Sequence, residues 1–116
     1  MPFQTRPDTQ HPEPDRALEE FSVDRPGNII SIGHHLATTM QVRCLVRTIS
    51  LSGAVLEVNK GLDIPQNFFL EILGIHDEIG CTVLKRDGAV VTVCFNMLIS
   101  PDFLHHVQRL SFEESV

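Results

Sequence analysis

The segment Arg47-Thr48-Ile49-Ser50-Leu51-Ser52-Gly53 brings a guanidinium, three hydroxyls and a glycine together within seven residues. A guanidinium grips phosphate oxygens in pairs and stacks on flat rings. A hydroxyl gives or accepts single hydrogen bonds, and a glycine lets backbone and ligand come close. Such a group can hold a compact anion. The plainer role for Ser50 and Gly53 is a β-turn that needs one small polar residue and one permissive backbone. Arg43 and Arg47 are spaced to share a strand face. They form either a positive patch or a solvated face paired across the sheet with Glu57 or Glu71.

The other reactive residue types form no constellation. Four of the six histidines stand as adjacent pairs, His34-His35 and His105-His106, and His76 is isolated. Adjacent histidines on a strand or turn point apart, and helical metal ligands prefer an i, i+4 spacing. There is no Cys-x-x-Cys. Cys44, Cys81 and Cys94 each lie in an apolar run, at apparent strand positions facing a core. That suits buried reduced thiols better than a disulfide or a nucleophile. No glycine-rich phosphate loop and no Gly-x-Ser-x-Gly element occur. His76-Asp77-Glu78 has no apolar surroundings to raise a carboxyl pKa and reads as a solvated loop. We therefore expect no catalytic residue, no metal, no cofactor and no enzyme.

The chain has 116 residues, enough for one core and a tail. Its net charge of -6 repels polyanions and argues against DNA or RNA binding. It has neither Trp nor Tyr, so seven Phe supply the large aromatic volume, and most of them should be buried. The proline-rich start has no signal-peptide apolar region, and no apolar run is long enough to cross a membrane. A cytoplasmic protein with no membrane insertion is expected.

Residues 1–20 read as a flexible, acidic, proline-rich tail, in which Asp15 to Phe21 can make at most a helical turn. Residues 21–116 read as the folded domain. Asn28–Ile32 makes a first strand, followed by a turn at Gly33-His34-His35. Period-two alternation over Met40–Arg47 makes a second strand, with Met40, Val42, Cys44 and Val46 facing one way. Ala54–Val58, Phe68–Leu73, Cys81–Arg86 and Ala89–Phe95 continue the series, with Asp87-Gly88 as a type I′ hairpin turn. Ser100-Pro101-Asp102 then starts a helix, on which Phe103, Leu104, Val107 and Leu110 recur at helical spacing. This stripe covers one mouth of a barrel or, with Phe112, binds a partner. The fold expected is all-β: a six-stranded antiparallel barrel with a C-terminal α-helix.

The turn and its flanks carry a family resemblance. Thr48, Ser50 and Gly53 stand between the second and third strands, after Cys44-Leu45-Val46-Arg47 and before Ala54-Val55-Leu56-Glu57-Val58. Gly61-Leu62-Asp63-Ile64-Pro65, Phe68, Leu70, the Cys81–Gly88 stretch and Val93-Cys94-Phe95 follow in order. From about residue 25 to residue 96 the chain resembles the PilZ family, whose motif at this turn is Asp or Asn, any residue, Ser, two residues, then Gly. The resemblance implies a split β-barrel that binds cyclic di-GMP and regulates a partner protein. It implies an arginine arm, Arg-x-x-x-Arg, that orders over the barrel when ligand binds. Arg25, Arg47, Thr48, Ser50 and Gly53 are the positions that would form the ligand site. Two points depart from the pattern. Thr48 replaces the acid or amide, and Arg6, Arg16 and Arg25 contain no pair four apart. Contacts to charged groups are worth about 1.5–3 kcal/mol each, and two lost contacts take a micromolar ligand to roughly millimolar. The alternative implied is a degenerate PilZ interaction module that no longer binds the nucleotide.

Overall fold

Alternation at period two decides which side chains a strand sends inward, and six strands with one apolar face each can hide those faces by closing on themselves. The computed structural model describes residues 19–32, 39–75 and 77–115. The strands are β1 (Phe21–Ile32), β2 (Thr39–Ile49), β3 (Gly53–Glu57), β4 (Asn67–Ile72), β5 (Glu78–Asp87) and β6 (Val90–Phe95). They form a closed antiparallel barrel in the order β1-β2-β3-β6-β5-β4, and one helix, α1 (Pro101–Ser115), follows. No described helix is long and apolar enough to cross a membrane. The tail expected over residues 1–20 lies mostly outside the described residues, as do His34, His35 and His76.

Val46, Ile49, Leu56, Leu70, Ile72 and Val91 fill the interior. These are mainly branched aliphatic residues, because a barrel of so few strands leaves little room for rings. Most phenylalanines were expected inside. Among the described side chains only Phe68 and Phe95 are buried, while Phe21 and Phe103 are half-buried and Phe69 is exposed. Met40, also expected inward, is 47% exposed. It pairs with Ser31, beyond Gly27–Ile30 where β4 joins β1, so the β1–β2 hairpin runs past the barrel at this end.

The first strand begins at Phe21, seven residues before the expected start at Asn28. Pro26 does not interrupt it. Pairing with β4 starts only at Gly27, so the missing N–H breaks no ladder bond on that side. Three bulges adjust the register: in β1 between Ser22 and Arg25, in β2 between Val46 and Thr48, and in β5 between Val83 and Lys85. Asp24 sits in the first at φ +45°, a conformation that Asp tolerates better than most residues. The second, at Arg47, reverses the alternation of β2. Cys44 and Val46 face in, and so does Ile49, which strict period two would have put outside.

The β5–β6 hairpin has a different turn from the expected one. Asp87 still pairs with Val90, and Gly88-Ala89 forms the two-residue loop. Of these two only Gly88 has positive φ, at +66°, which is the pattern of a type II′ turn. The helix starts as its sequence dictates: Phe103 N–H donates to Ser100 Oγ at 3.0 Å, with Pro101 in the first helical position. Leu104 and Val107 join the buried core, Phe103 and Leu110 pack at its margin, and α1 lies against β1.

Candidate functional site

The turn between β2 and β3 is organised by Ser50. Its Oγ accepts from Gly53 N–H at 3.1 Å and from Ser52 N–H at 3.2 Å, and it lies 3.3 Å from Gly53 O. Ser50 N–H donates to the same carbonyl at 2.8 Å. Ser50 is buried, at 5% exposure, so its hydroxyl serves the turn. Phe95 N–H to Ser52 O at 2.7 Å and Ile99 N–H to Leu51 O at 3.0 Å tie the turn to the end of β6 and the segment after it.

The charged groups around the turn are arranged in pairs. Arg47 points outward, with Nε 2.9 Å from Asp24 Oδ1 and Nη1 2.8 Å from Glu57 Oε1. Of the two cross-strand partners expected, Glu57 and Glu71, Arg47 takes Glu57. Asp24 was not expected, because only the β1 bulge puts its carboxylate beside Arg47. Thr48 Oγ1 donates to Glu20 Oε1 at 3.3 Å. Glu20 also lines a cleft of about 160 Å³ beside the turn, whose other walls include Ser50, Ser52, Gly53, Val55 and Leu84. No lysine or arginine lines this cleft among the described residues.

Arg25 does not join this group. It pairs with Val46 in the β1–β2 register and faces inward, 7% exposed, whereas Arg47 leaves the opposite side of the sheet. Its Nε donates to Leu73 O at 3.1 Å, and its Nη2 would lie 3.1 Å from a Cβ built on Gly74, near Leu110 of α1. The structure therefore brings Arg47, Thr48, Ser50 and Gly53 together and sends Arg25 toward the helix.

All three cysteines are free. Cys44 and Cys81 are buried as expected. Cys94 was expected to face the core, but it is half-buried on the outer side of β6 and lines the cleft, because Val91, Val93 and Phe95 take the inward positions. Burial pushes the thiols of Cys44 and Cys81 up from 9.0 to about 12, with Cys94 and Cys44 adding to the effect on Cys81. Below about pH 8 both thiols are protonated in folded and unfolded chains alike. Above it the unfolded chain ionises first, so stability falls as pH rises toward about 12. The slope is about 1.4 kcal/mol per pH unit for each thiol. Urea midpoints measured between about pH 8 and pH 10 should show this fall, and Cys44→Ala should reduce its slope. An unchanged slope in that variant would contradict the assignment.

Among the described residues no group of three or more His, Cys, Asp or Glu side chains is placed to hold a metal. Compared with family models, curated proteins and solved structures, the chain matches none of them.

Proposed function

We propose that this chain is a PilZ-like regulatory barrel that works by binding a partner protein and has lost the nucleotide site of the family it resembles. The observation that carries this reading is the charge at the turn. A cyclic dinucleotide brings two negative phosphates, and the cleft beside Ser50 and Gly53 presents the Glu20 carboxylate with no lysine or arginine lining it among the described residues. Arg47 is engaged by Asp24 and Glu57, and Arg25 is buried on the other side of the sheet. Ser50 is accounted for by the turn, and Gly53 by its close approach to the β6 backbone. The proposed role involves no catalysis.

A second reading, weak binding of cyclic di-GMP, has one observation in its favour. Arg47 and both its partners are about half exposed, and pairs of that kind are worth only about 0–1 kcal/mol. A ligand can draw Arg47 away at little cost, but Glu20 remains. Calorimetry with cyclic di-GMP separates the two readings. The interaction-module reading expects no binding tighter than roughly millimolar. Micromolar binding that disappears in Arg47→Ala would establish the sensor instead. Arg47→Ala is a cleaner variant than Ser50→Ala, because Ser50 holds the turn.

A further inference from the structure

Away from the turn, a groove of about 490 Å³ runs between the outer face of β4–β5 and the segment that joins β6 to α1. Phe69, 44% exposed, forms one wall. Met97 and Leu98, 80% and 66% exposed, stand on the other with Phe103 at their side. The β5 residue paired with Phe69 is Gly80, which sends no side chain of its own into the groove. Asn96 lies over that glycine, with its Nδ2 2.9 Å from where a Cβ would stand.

The segment presenting Met97 and Leu98 is held at both ends. Asn96 N–H donates to Gly80 O at 2.8 Å, Thr82 Oγ1 donates to Asn96 Oδ1 at 2.7 Å, and Ile99 N–H donates to Leu51 O at 3.0 Å. Two large apolar side chains are thus fixed toward solvent, where their exposure is unfavourable until something covers them. Methionine adapts readily to varied partners. The groove carries Asp77 and Glu78, both exposed, and no lysine or arginine lines it among the described residues.

We propose that this groove docks a basic amphipathic helix of a partner protein, with large apolar side chains between the walls and lysines or arginines facing Asp77 and Glu78. The inference rests on the interaction-module reading above. Charge complementarity selects the occupant. A second copy of the chain would bring the same two acids and a net charge of -6 to the contact, and like charges facing each other oppose pairing. At the groove Phe69 is paired with Ile30 on one side and Gly80 on the other, so an added strand finds no edge there. A helix laying apolar anchors into a groove remains.

The test is selection of random displayed peptides, about sixteen residues long, on the immobilised full chain. The expected products are basic sequences with Leu, Phe or Met at i, i+3 or i+4, and i+7. A synthetic peptide from that set should lose at least about tenfold in affinity for Met97→Asp/Leu98→Asp, and a similar factor for Asp77→Lys/Glu78→Lys. Both Met97 and Leu98 are largely exposed, so the first variant should melt like the wild type. Amide shift changes in the wild-type protein should cluster at Phe69, Gly80, Met97, Leu98 and Phe103, which gives a readout independent of any variant. No enriched peptides, acidic or patternless peptides, an affinity indifferent to the groove variant, or self-association abolished by it would each overturn the proposal. A peptide that binds elsewhere on the barrel overturns the groove and leaves the interaction module standing. Micromolar cyclic di-GMP binding in the same sample overturns the nucleotide-free reading, while the groove is judged by its own variants.

Discussion

Gly53→Ala should destabilise the barrel by about 3 kcal/mol, a fall in Tm of roughly 12–24 °C for a domain of this size. Gly53 has no positive φ, so its backbone conformation is open to any residue. What it lacks is space. It pairs with Cys94 across the β3–β6 ladder, and a Cβ on it would run into the Val93 carbonyl oxygen, with Cys94 Cα at 3.3 Å. Those atoms belong to the backbone of β6 and cannot rotate away as a side chain would. The strands must part, and Phe95 N–H to Ser52 O and Ser50 N–H to Gly53 O are strained with them. Gly88 supplies the contrast. It has φ +66°, and nothing lies within 4 Å of where its Cβ would stand, so Gly88→Ala costs only the backbone term of about 1–2 kcal/mol. Thermal melting of the two variants decides the matter. A Gly53→Ala protein that melts within a few degrees of Gly88→Ala would refute the close strand contact. The result also bears on function, since a glycine required by strand packing needs no ligand to explain it.

Val107→Asp is the second large effect, at about 3–5 kcal/mol. Val107 is fully buried among the core residues, next along the helix from Leu104. A carboxylate there must be desolvated without a partner, or α1 must lift off the barrel. Lifting off exposes Val107 and Leu104, at about 1.5–3 kcal/mol for each side chain, so neither escape is cheap. His105→Asp, on the exposed side of the same helix, should stay within about 0.5 kcal/mol of wild type. Urea unfolding followed by circular dichroism compares the pair. Equal midpoints would mean that α1 is an appendage free to bind a partner, whereas the expected difference makes it part of the core. The second outcome leaves the docking role to the Phe69–Met97 groove.

The elements were legible in the sequence because their physics is local. Alternate residues of a strand leave opposite faces, so Met40–Arg47 and Ala89–Phe95 declare themselves without knowledge of their neighbours. Ser100-Pro101-Asp102 starts a helix because hydroxyl, fixed φ and acid suit its first turn wherever it lies. Strand order also offered Glu57 as one of two cross-strand partners, and Arg47 takes it. The bulges were not legible. An extra residue at Asp24, Arg47 or Leu84 is defined only by the strand beside it, and each one shifts the faces that follow. That is why Ile49 enters the core and why β1 begins at Phe21.

Charge placement divides in the same way. Arginine is ordinarily a surface residue, and only the closed barrel with α1 against it buries Arg25 and offers it the Leu73 carbonyl. The exposure of Phe69, Met97 and Leu98 is likewise a property of the assembled barrel, since their composition alone reads as core. At the turn, the sequence by itself determined that the segment from Thr48 to Gly53 joins two strands. Only the tertiary structure decided what surrounds it. It added Asp24 to Arg47 and set Glu20 on Thr48, because groups distant in the chain meet only once the strands have closed.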